Sequence, residues 1–77
     1  MIGPMTEYAT TDLNVAAFLI ARGWKLRRLD GPRTSRSFVF EAAAKDDVQR
    51  FFLNELVGAR DFASALKQLK SALHHTP

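Results

Sequence analysis

Residues 24–40, "WKLRRLDGPRTSRSFVF", decide the fold of this chain. Apolar and basic side chains alternate before the central turn, and aromatic side chains alternate with other residues after it. Successive side chains of a strand point to opposite faces, so the pattern predicts a β-hairpin closed by the six-residue loop "DGPRTS". The predicted apolar face carries Trp24, Leu26, Phe38 and Phe40. The residues expected to face away on the second strand are Ser37, Val39 and Glu41.

Basic side chains crowd the tip of this predicted hairpin. Continuing the alternation places Arg28 and Arg36 on the apolar face, beyond the edge of the core, with Arg27 on the opposite face. Arg33 lies in the turn. Guanidinium groups can hold phosphates through paired hydrogen bonds, and a β-ribbon can enter a groove of DNA. The candidate polyanion-binding residues are therefore Lys25, Arg27, Arg28, Arg33 and Arg36.

A second interpretation of the same arginines is purely structural. Arginines protect exposed strand edges from aggregation, and these could pair locally with Asp30 or Glu41. The distribution of charge is compatible with either interpretation. Residues 22–36 hold six of the eleven basic side chains and a single acid, so the net charge of +3 comes from this one segment. The sequence leaves both interpretations open.

The segment before the hairpin has the spacing of a helix. In "TTDLNVAAFLIARG", residues 10–23, apolar side chains recur every three or four positions. Thr10 or Thr11 is expected to cap the helix, and the carboxylate of Asp12 suits the positive end of the helix dipole. Gly23 fits the position just past the last turn. The predicted stripe consists of Leu13, Ala16, Ala17 and Ile20, widened by Phe18 and Leu19.

Helical spacing returns after the hairpin. One helix is predicted from about Lys45 to a stop at Gly58, and a second follows it. The buried stripe of the first is predicted to consist of Val48, Phe51, Phe52 and Leu56. That of the second is predicted to consist of Phe62, Ala65, Leu66, Leu69 and Leu73.

These elements predict one α+β domain over residues 10–73, in the order α-β-β-α-α. A two-stranded antiparallel hairpin packs on three helices, because an isolated hairpin is barely stable in water. Residues 1–9 are expected to form a flexible N-terminal arm and residues 74–77 a frayed C-terminal tail. Both outer edges of a two-stranded sheet are unpaired, so a homodimer is expected.

Catalytic, metal and cofactor sites are not expected. The chain has no cysteine, and its four glycines do not form a nucleotide-binding loop. The only histidines, His74 and His75, are neighbours, which point about 100° apart on a helix rather than toward one metal ion. The acids Asp12, Asp46 and Asp47 lie at helix starts, where they interact with free N–H groups. We therefore predict that the chain is not an enzyme.

The longest apolar run gives no sign of a membrane segment. Residues 15–21 are too few to span a bilayer. Glu7 and Asp12 precede the run where a signal peptide would carry Lys or Arg. A cytoplasmic protein without a membrane partner is expected.

Three stretches resemble one known family: "YATTDLNVAAFLIARGWKL", "FVFE" and "ALKQLKSAL". The shared pattern is Thr-Thr-Asp-Leu, paired alanines, a glycine ending the first helix, an aromatic-x-aromatic strand and a final Leu-Lys. It covers roughly residues 8–73 and is similar to a family of small bacterial, prophage and tailed-phage proteins known as a domain of unknown function. The resemblance implies a phage or mobile-element setting. It implies no activity and no site residues.

The sequence thus predicts a small non-catalytic binding or adaptor protein, of phage or mobile-element type, that acts through protein–protein interaction. The main alternative is binding of nucleic acid or another polyanion through the arginine-rich hairpin tip. A small anionic ligand is a third possibility. Salt would separate the first two, because phosphate contacts weaken steeply as salt rises.

Overall fold

The computed structural model describes residues 7–74 as a three-stranded antiparallel sheet packed against three helices. The elements are β1 (Glu7–Thr10), α1 (Leu13–Ala21), β2 (Arg28–Asp30), β3 (Ser37–Glu41), α2 (Ala44–Phe52) and α3 (Ala59–His74). The predicted α+β class is confirmed. The predicted two-stranded hairpin and α-β-β-α-α order are wrong in detail, because a first strand precedes α1. The sheet order is β1-β3-β2, with β3 in the centre.

Strand β1 occupies residues that the sequence assigned to a flexible arm. It pairs antiparallel with β3, and Tyr8 lies opposite Phe40. β2 pairs with only one side of β3, so without β1 the other side of this buried strand would keep unpaired backbone groups. Residues 1–6 of the predicted arm and residues 75–77 of the predicted tail lie outside the described residues. His74 is the last residue of α3.

Strand β2 is shorter than predicted and begins with a β-bulge. Arg28 lies opposite Val39, and the N–H of Arg27 donates to the carbonyl oxygen of the same Val39 at 2.7 Å. Two residues opposite one define a bulge, which shifts the alternation of side chains by one position. Leu26 and Leu29 consequently both pack against the core. Arg28 lies on the outer face, so its predicted place on the apolar face is wrong.

Helix α1 forms the centre of the core. Its five consecutive residues from Val15 to Leu19 are buried, as expected of a helix whose sequence is apolar all round. Phe40, Leu19 and Leu69 are the largest fully buried side chains, from β3, α1 and α3. The sheet and α3 therefore enclose α1 from different sides.

The ends of α1 follow local capping rules. Asp12 is the N-cap, and its Oδ1 accepts from the N–H groups of Asn14 and Val15 at 2.8 and 3.2 Å. The predicted cap by Thr10 or Thr11 is therefore wrong. Thr10 Oγ1 instead accepts from the N–H of Asp12. Gly23 has the positive φ of +104° that the predicted helix stop requires.

The two later helices agree with the sequence to different degrees. On α3 the predicted stripe is confirmed: Ala65 and Leu69 are buried, and the other members are partly buried against the core. Helix α2 ends at Phe52, six residues before the predicted stop at Gly58. No helix within residues 7–74 has the length and hydropathy to cross a membrane.

Candidate functional site

The structure divides the predicted arginine cluster into two groups. Arg27 and Arg28 lie near Glu7, whereas Arg33 and Arg36 line a cleft beside the hairpin loop. The bulge is the reason, because it turns Arg28 away from the face that Arg36 shares with Phe38. Lys25 is exposed ahead of β2 and is not brought into either group.

Arg28 is engaged by acids of the sheet. Its Nη1 and Nη2 donate to Glu7 Oε2 and Oε1 at 2.5 and 2.8 Å, and Nη2 lies 3.6 Å from Asp30 Oδ2. The hydrogen bonds from Arg28 lower the pKa of Glu7, and Glu7 in turn raises the pKa of Arg28. Arg27 Nη1 is 3.9 Å from the same Glu7. The structural interpretation of these two arginines, including the expected pairing with Asp30, thus has direct support.

A second cluster of charges surrounds Asp47. Its carboxylate accepts from Arg22 Nε and Nη2 at 2.8 and 3.0 Å and from Trp24 Nε1 at 3.0 Å. Arg50 Nε lies 3.2 Å away. The hydrogen bonds from Arg22 are the main reason why the pKa of Asp47 is lowered. Asp47 therefore joins α2 to the end of α1 and to the entry of the sheet, which makes its role structural.

The largest exposed apolar side chains lie together where α2 ends. Phe52, Leu53 and Leu56 are 72%, 78% and 88% exposed, and we refer to residues 52–56 as the apolar turn. The predicted burial of Phe52 and Leu56 on one helical stripe is therefore wrong. Asn54, with a φ of +64°, ends the helix before Leu56 can join that stripe.

Backbone hydrogen bonds fix the shape of the apolar turn. The N–H of Glu55 donates to the carbonyl oxygen of Arg50 at 2.9 Å, and the N–H of Asn54 donates to that of Phe51 at 3.1 Å. With Asn54 left-handed, these bonds form a Schellman motif. Arg50 Nη1 also lies 3.5 Å from Glu55 Oε1. The turn is therefore ordered by its own hydrogen bonds and ion pair.

Aromatic contacts attach the apolar turn to the core. The ring centroids of Phe52 and Phe51 lie 5.2 Å apart, and those of Phe51 and the buried Phe18 lie 5.6 Å apart. Both pairs are arranged edge-to-face. Such edge-to-face pairs add about 0.5–1.5 kcal/mol beyond their area burial. Phe52 is therefore held by its neighbour although it faces solvent.

Two clefts open on the described surface. The Asp47 cleft is lined by the charged cluster around Asp47 and by Trp24. The hairpin cleft, of about 340 Å³, lies between loop residues 33–36, Leu13 of α1 and Leu73 of α3. Within residues 7–74 no group of three or more His, Cys, Asp or Glu side chains is placed to hold a metal ion.

Periodicity alone does not predict the apolar turn, although the sequence carries a signal for it. Phe51, Phe52 and Leu53 are three consecutive apolar residues, and successive residues on a helix point about 100° apart. One buried face cannot hold all three. Asn54, one of the few residue types that tolerate a left-handed conformation, follows them directly.

Comparison with known proteins identifies the family. A family model described as a domain of unknown function (DUF5659) matches residues 5–75 of the chain. No curated protein and no solved structure matches the chain.

Proposed function

This chain belongs to the DUF5659 family, and we propose that it is a non-catalytic adaptor that attaches to another protein through the apolar turn. The observation that carries the proposal is the exposure of Phe52, Leu53 and Leu56 in an ordered turn. Contiguous apolar surface bordered by polar residues is typical of protein-binding sites.

The rigidity of the apolar turn supports a binding role. Ordering a flexible loop on association costs free energy that reduces affinity. Here the Schellman hydrogen bonds at Asn54 and the ion pair between Arg50 and Glu55 order the turn in advance. Aromatic side chains such as Phe52 that enter a partner's pocket often supply much of the binding energy.

The shape of the turn indicates the chemistry of the partner. Three large exposed apolar side chains suit an apolar groove on the partner, and Arg50 and Glu55 beside them favour a groove bordered by charges of both signs. A second copy of this chain is a poor fit, because charged side chains make up most of the lining of the Asp47 cleft, and polar and basic side chains make up more than half of that of the hairpin cleft, so neither is an apolar groove. Contact between two such turns would bury far less than the roughly 800 Å² per partner of a standard interface. We therefore propose that the partner that carries this groove is a different protein.

Polyanion binding through the hairpin tip remains the second candidate. Lys25, Arg27 and Arg33 are exposed and support it. Arg28 weakens it, since Glu7 already neutralises that charge. A homodimer, a phage or mobile-element setting and a cytoplasmic location are likewise proposals, which rest on the sequence and on the family resemblance.

Capture followed by reconstitution tests the adaptor proposal. A nuclease-treated host lysate supplies the captured protein, which is purified and titrated against the chain by calorimetry. We expect a negative heat-capacity change, as burial of apolar surface produces, and little dependence on salt. Leu53→Ser and Leu56→Ser should each weaken binding by about 10-fold or more, because each removes a large apolar contact.

Lys70→Ser on the exposed face of α3 is the control and should bind as the parent does. The proposal fails if both leucine variants bind as tightly as the parent. It also fails if sedimentation at tens of micromolar shows a dimer that Leu56→Ser abolishes, because the occupant of the apolar turn would then be a second copy.

A further inference from the structure

One of the charged side chains that line the Asp47 cleft has no charged partner within residues 7–74. Arg22 donates to Asp47 through both Nε and Nη2. Arg50 Nε lies 3.2 Å from Asp47 Oδ1, and Arg50 Nη1 lies 3.5 Å from Glu55 Oε1. Asp46 also lines the cleft, is exposed and makes no ion pair with a described residue. A ligand can therefore meet the carboxylate of Asp46 without displacing another side chain.

Trp24 supplies the aromatic wall of the same cleft. It is the single tryptophan of the chain and is half-buried. Its Nε1 donates to Asp47 Oδ2 at 3.0 Å, which fixes the plane of the indole ring. Tryptophan is the aromatic residue that attracts a cation over its ring most strongly, and the methylene chain of a lysine or arginine packs well on apolar surface. The cleft thus combines a fixed aromatic ring with an unpaired carboxylate.

The existing ion pairs in the cleft favour a cation over an anion. An anion would have to compete with Asp47 for Arg22, and with both Asp47 and Glu55 for Arg50. A cation meets Asp46 directly. The volume of the cleft, about 490 Å³, has room for a lysine or arginine side chain.

The Asp47 cleft and the apolar turn adjoin along α2. Asp46 and Arg50 are four residues apart, so they share one face of the helix. Arg50 in turn reaches Glu55 of the apolar turn. From Asp46 to Phe52 the distance along the helix axis is about 9 Å, at about 1.5 Å per residue. A partner with an interface of ordinary size, roughly 800 Å², is therefore large enough to cover both features.

We propose that the Asp47 cleft receives a lysine or arginine side chain of the protein that binds the apolar turn. The cationic group pairs with Asp46, and the methylene chain lies along Trp24. This inference rests on the proposed adaptor function and adds to it a residue that selects the partner. The groove that holds the apolar turn is thus expected to carry a basic side chain at the border that faces α2.

An NMR titration with small model compounds tests the cleft without the partner. The probe is N-acetyl-arginine methylamide, compared with the uncharged norleucine and the acidic glutamate analogues. We expect saturable shifts of the Trp24 indole N–H and the Asp46 amide with the arginine compound, weaker binding of the norleucine compound, and no binding of the glutamate compound. Asp46→Asn should weaken binding of the arginine compound by about 5-fold, as expected for loss of one ion pair.

Asp61→Asn is the matched control for this titration. Asp61 is likewise an exposed acid in the first turn of a helix, but it does not line the cleft. The variant should change the affinity by less than about 2-fold. Equal weakening by Asp46→Asn and Asp61→Asn would overturn the proposal, because total charge would then govern the binding. Equal affinity for the arginine and norleucine compounds would overturn it as well.

The captured protein of the adaptor experiment provides a second measurement. Asp46→Lys should weaken that complex by about 10-fold or more, because like charges across an interface repel, whereas Asp61→Lys should leave it unchanged. If Leu56→Ser weakens the complex and Asp46→Lys does not, this inference fails and the adaptor proposal stands. If Asp46→Lys weakens it and neither leucine variant does, the cleft is confirmed as a contact and the assignment of the apolar turn fails.

Discussion

Arg28 on one edge strand reaches Glu7 on the other edge strand, across the full width of the sheet. β1 and β2 both pair with β3, so their backbones lie about 10 Å apart, twice the usual strand spacing. Directly opposite residues share a face, which places this ion pair across β3 between Val39 and Glu41. The most basic part of the sequence thereby holds together the two strands that flank β3.

The Glu7–Arg28 pair should limit the attraction of the chain for polyanions. We expect Glu7→Gln to strengthen binding to duplex DNA at low salt, because it frees Arg28 to contact a phosphate. The slope of log affinity against log salt should steepen by about 0.9, the value for one added contact. Fluorescence anisotropy between 50 and 200 mM salt measures it.

Glu41→Gln supplies the matched control for this experiment. It makes the same change of charge on the same face of the sheet, and Glu41 forms no ion pair within the described part of the chain. An equal change of slope in both variants would show that total charge, rather than release of Arg28, governs the binding.

The centre of the sheet should be the most sensitive part of the core. Phe40 lies on the middle strand and is fully buried. Phe40→Ala, and likewise Phe38→Ala, should lower the free energy of unfolding by about 3–5 kcal/mol, which is the whole stability expected of so small a domain. Circular dichroism should show an unfolded chain. Ser37→Ala, on the same strand, is the control and should keep the parent's unfolding midpoint. A cooperative unfolding transition of Phe40→Ala near that midpoint would contradict the assigned core.

Asp47 should make stability depend on pH. Its lowered pKa means that the folded chain binds a proton at this carboxylate less readily than the unfolded chain does. The stabilisation is therefore present above the ordinary pKa of 3.8 and is lost as pH falls below it. Asp47→Asn should lower the free energy of unfolding by about 2 kcal/mol at pH 7, because Arg22 loses its charged partner.

Urea unfolding at pH 7, 5 and 3 measures this dependence. The difference in the free energy of unfolding between the parent and Asp47→Asn should become smaller at the lowest pH. Asp46→Asn, at an exposed neighbouring position, should cost at most about 0.5 kcal/mol through the helix dipole. A constant difference at all three pH values would exclude the titration of Asp47 as the cause.

Asn54 should determine the order of the apolar turn. Its positive φ suits glycine and disfavours residues with a β-carbon. Asn54→Gly should leave stability nearly unchanged, whereas Asn54→Ala should lower the free energy of unfolding by about 1 kcal/mol. Thermal unfolding measures both variants. Similar midpoints for the two variants would show that the left-handed conformation does not limit stability.

Local patterns account for most of the predicted elements. The stripe of α3, the glycine stop after α1 and the buried pair Phe38 and Phe40 all follow from spacing within a few residues. Strand β1 was not predicted from its local pattern, because four residues are too few to show alternation. It is stabilised by pairing with residues more than twenty-five positions away.

The candidate sites depended even more on features beyond simple periodicity. One bulged residue, Arg27, was enough to move Arg28 to the other face of the sheet and to divide the arginine cluster. Similarly, Asn54 interrupted an apolar spacing that would otherwise continue to Leu56. The hairpin cleft has no local signal, because Leu13, Arg36 and Leu73 are distant in sequence.

The order of strands in the sheet also bears on how the chain folds while it is being synthesised. β1 leaves the ribosome before the other described elements, but its hydrogen-bonding partner β3 follows only after α1 and β2 have been made. The side of α1 that packs against α3 stays uncovered until α3, the last described element, has been made. A nascent chain therefore exposes one side of its most hydrophobic helix until α3 has been made, and during that interval it resembles a substrate for chaperones.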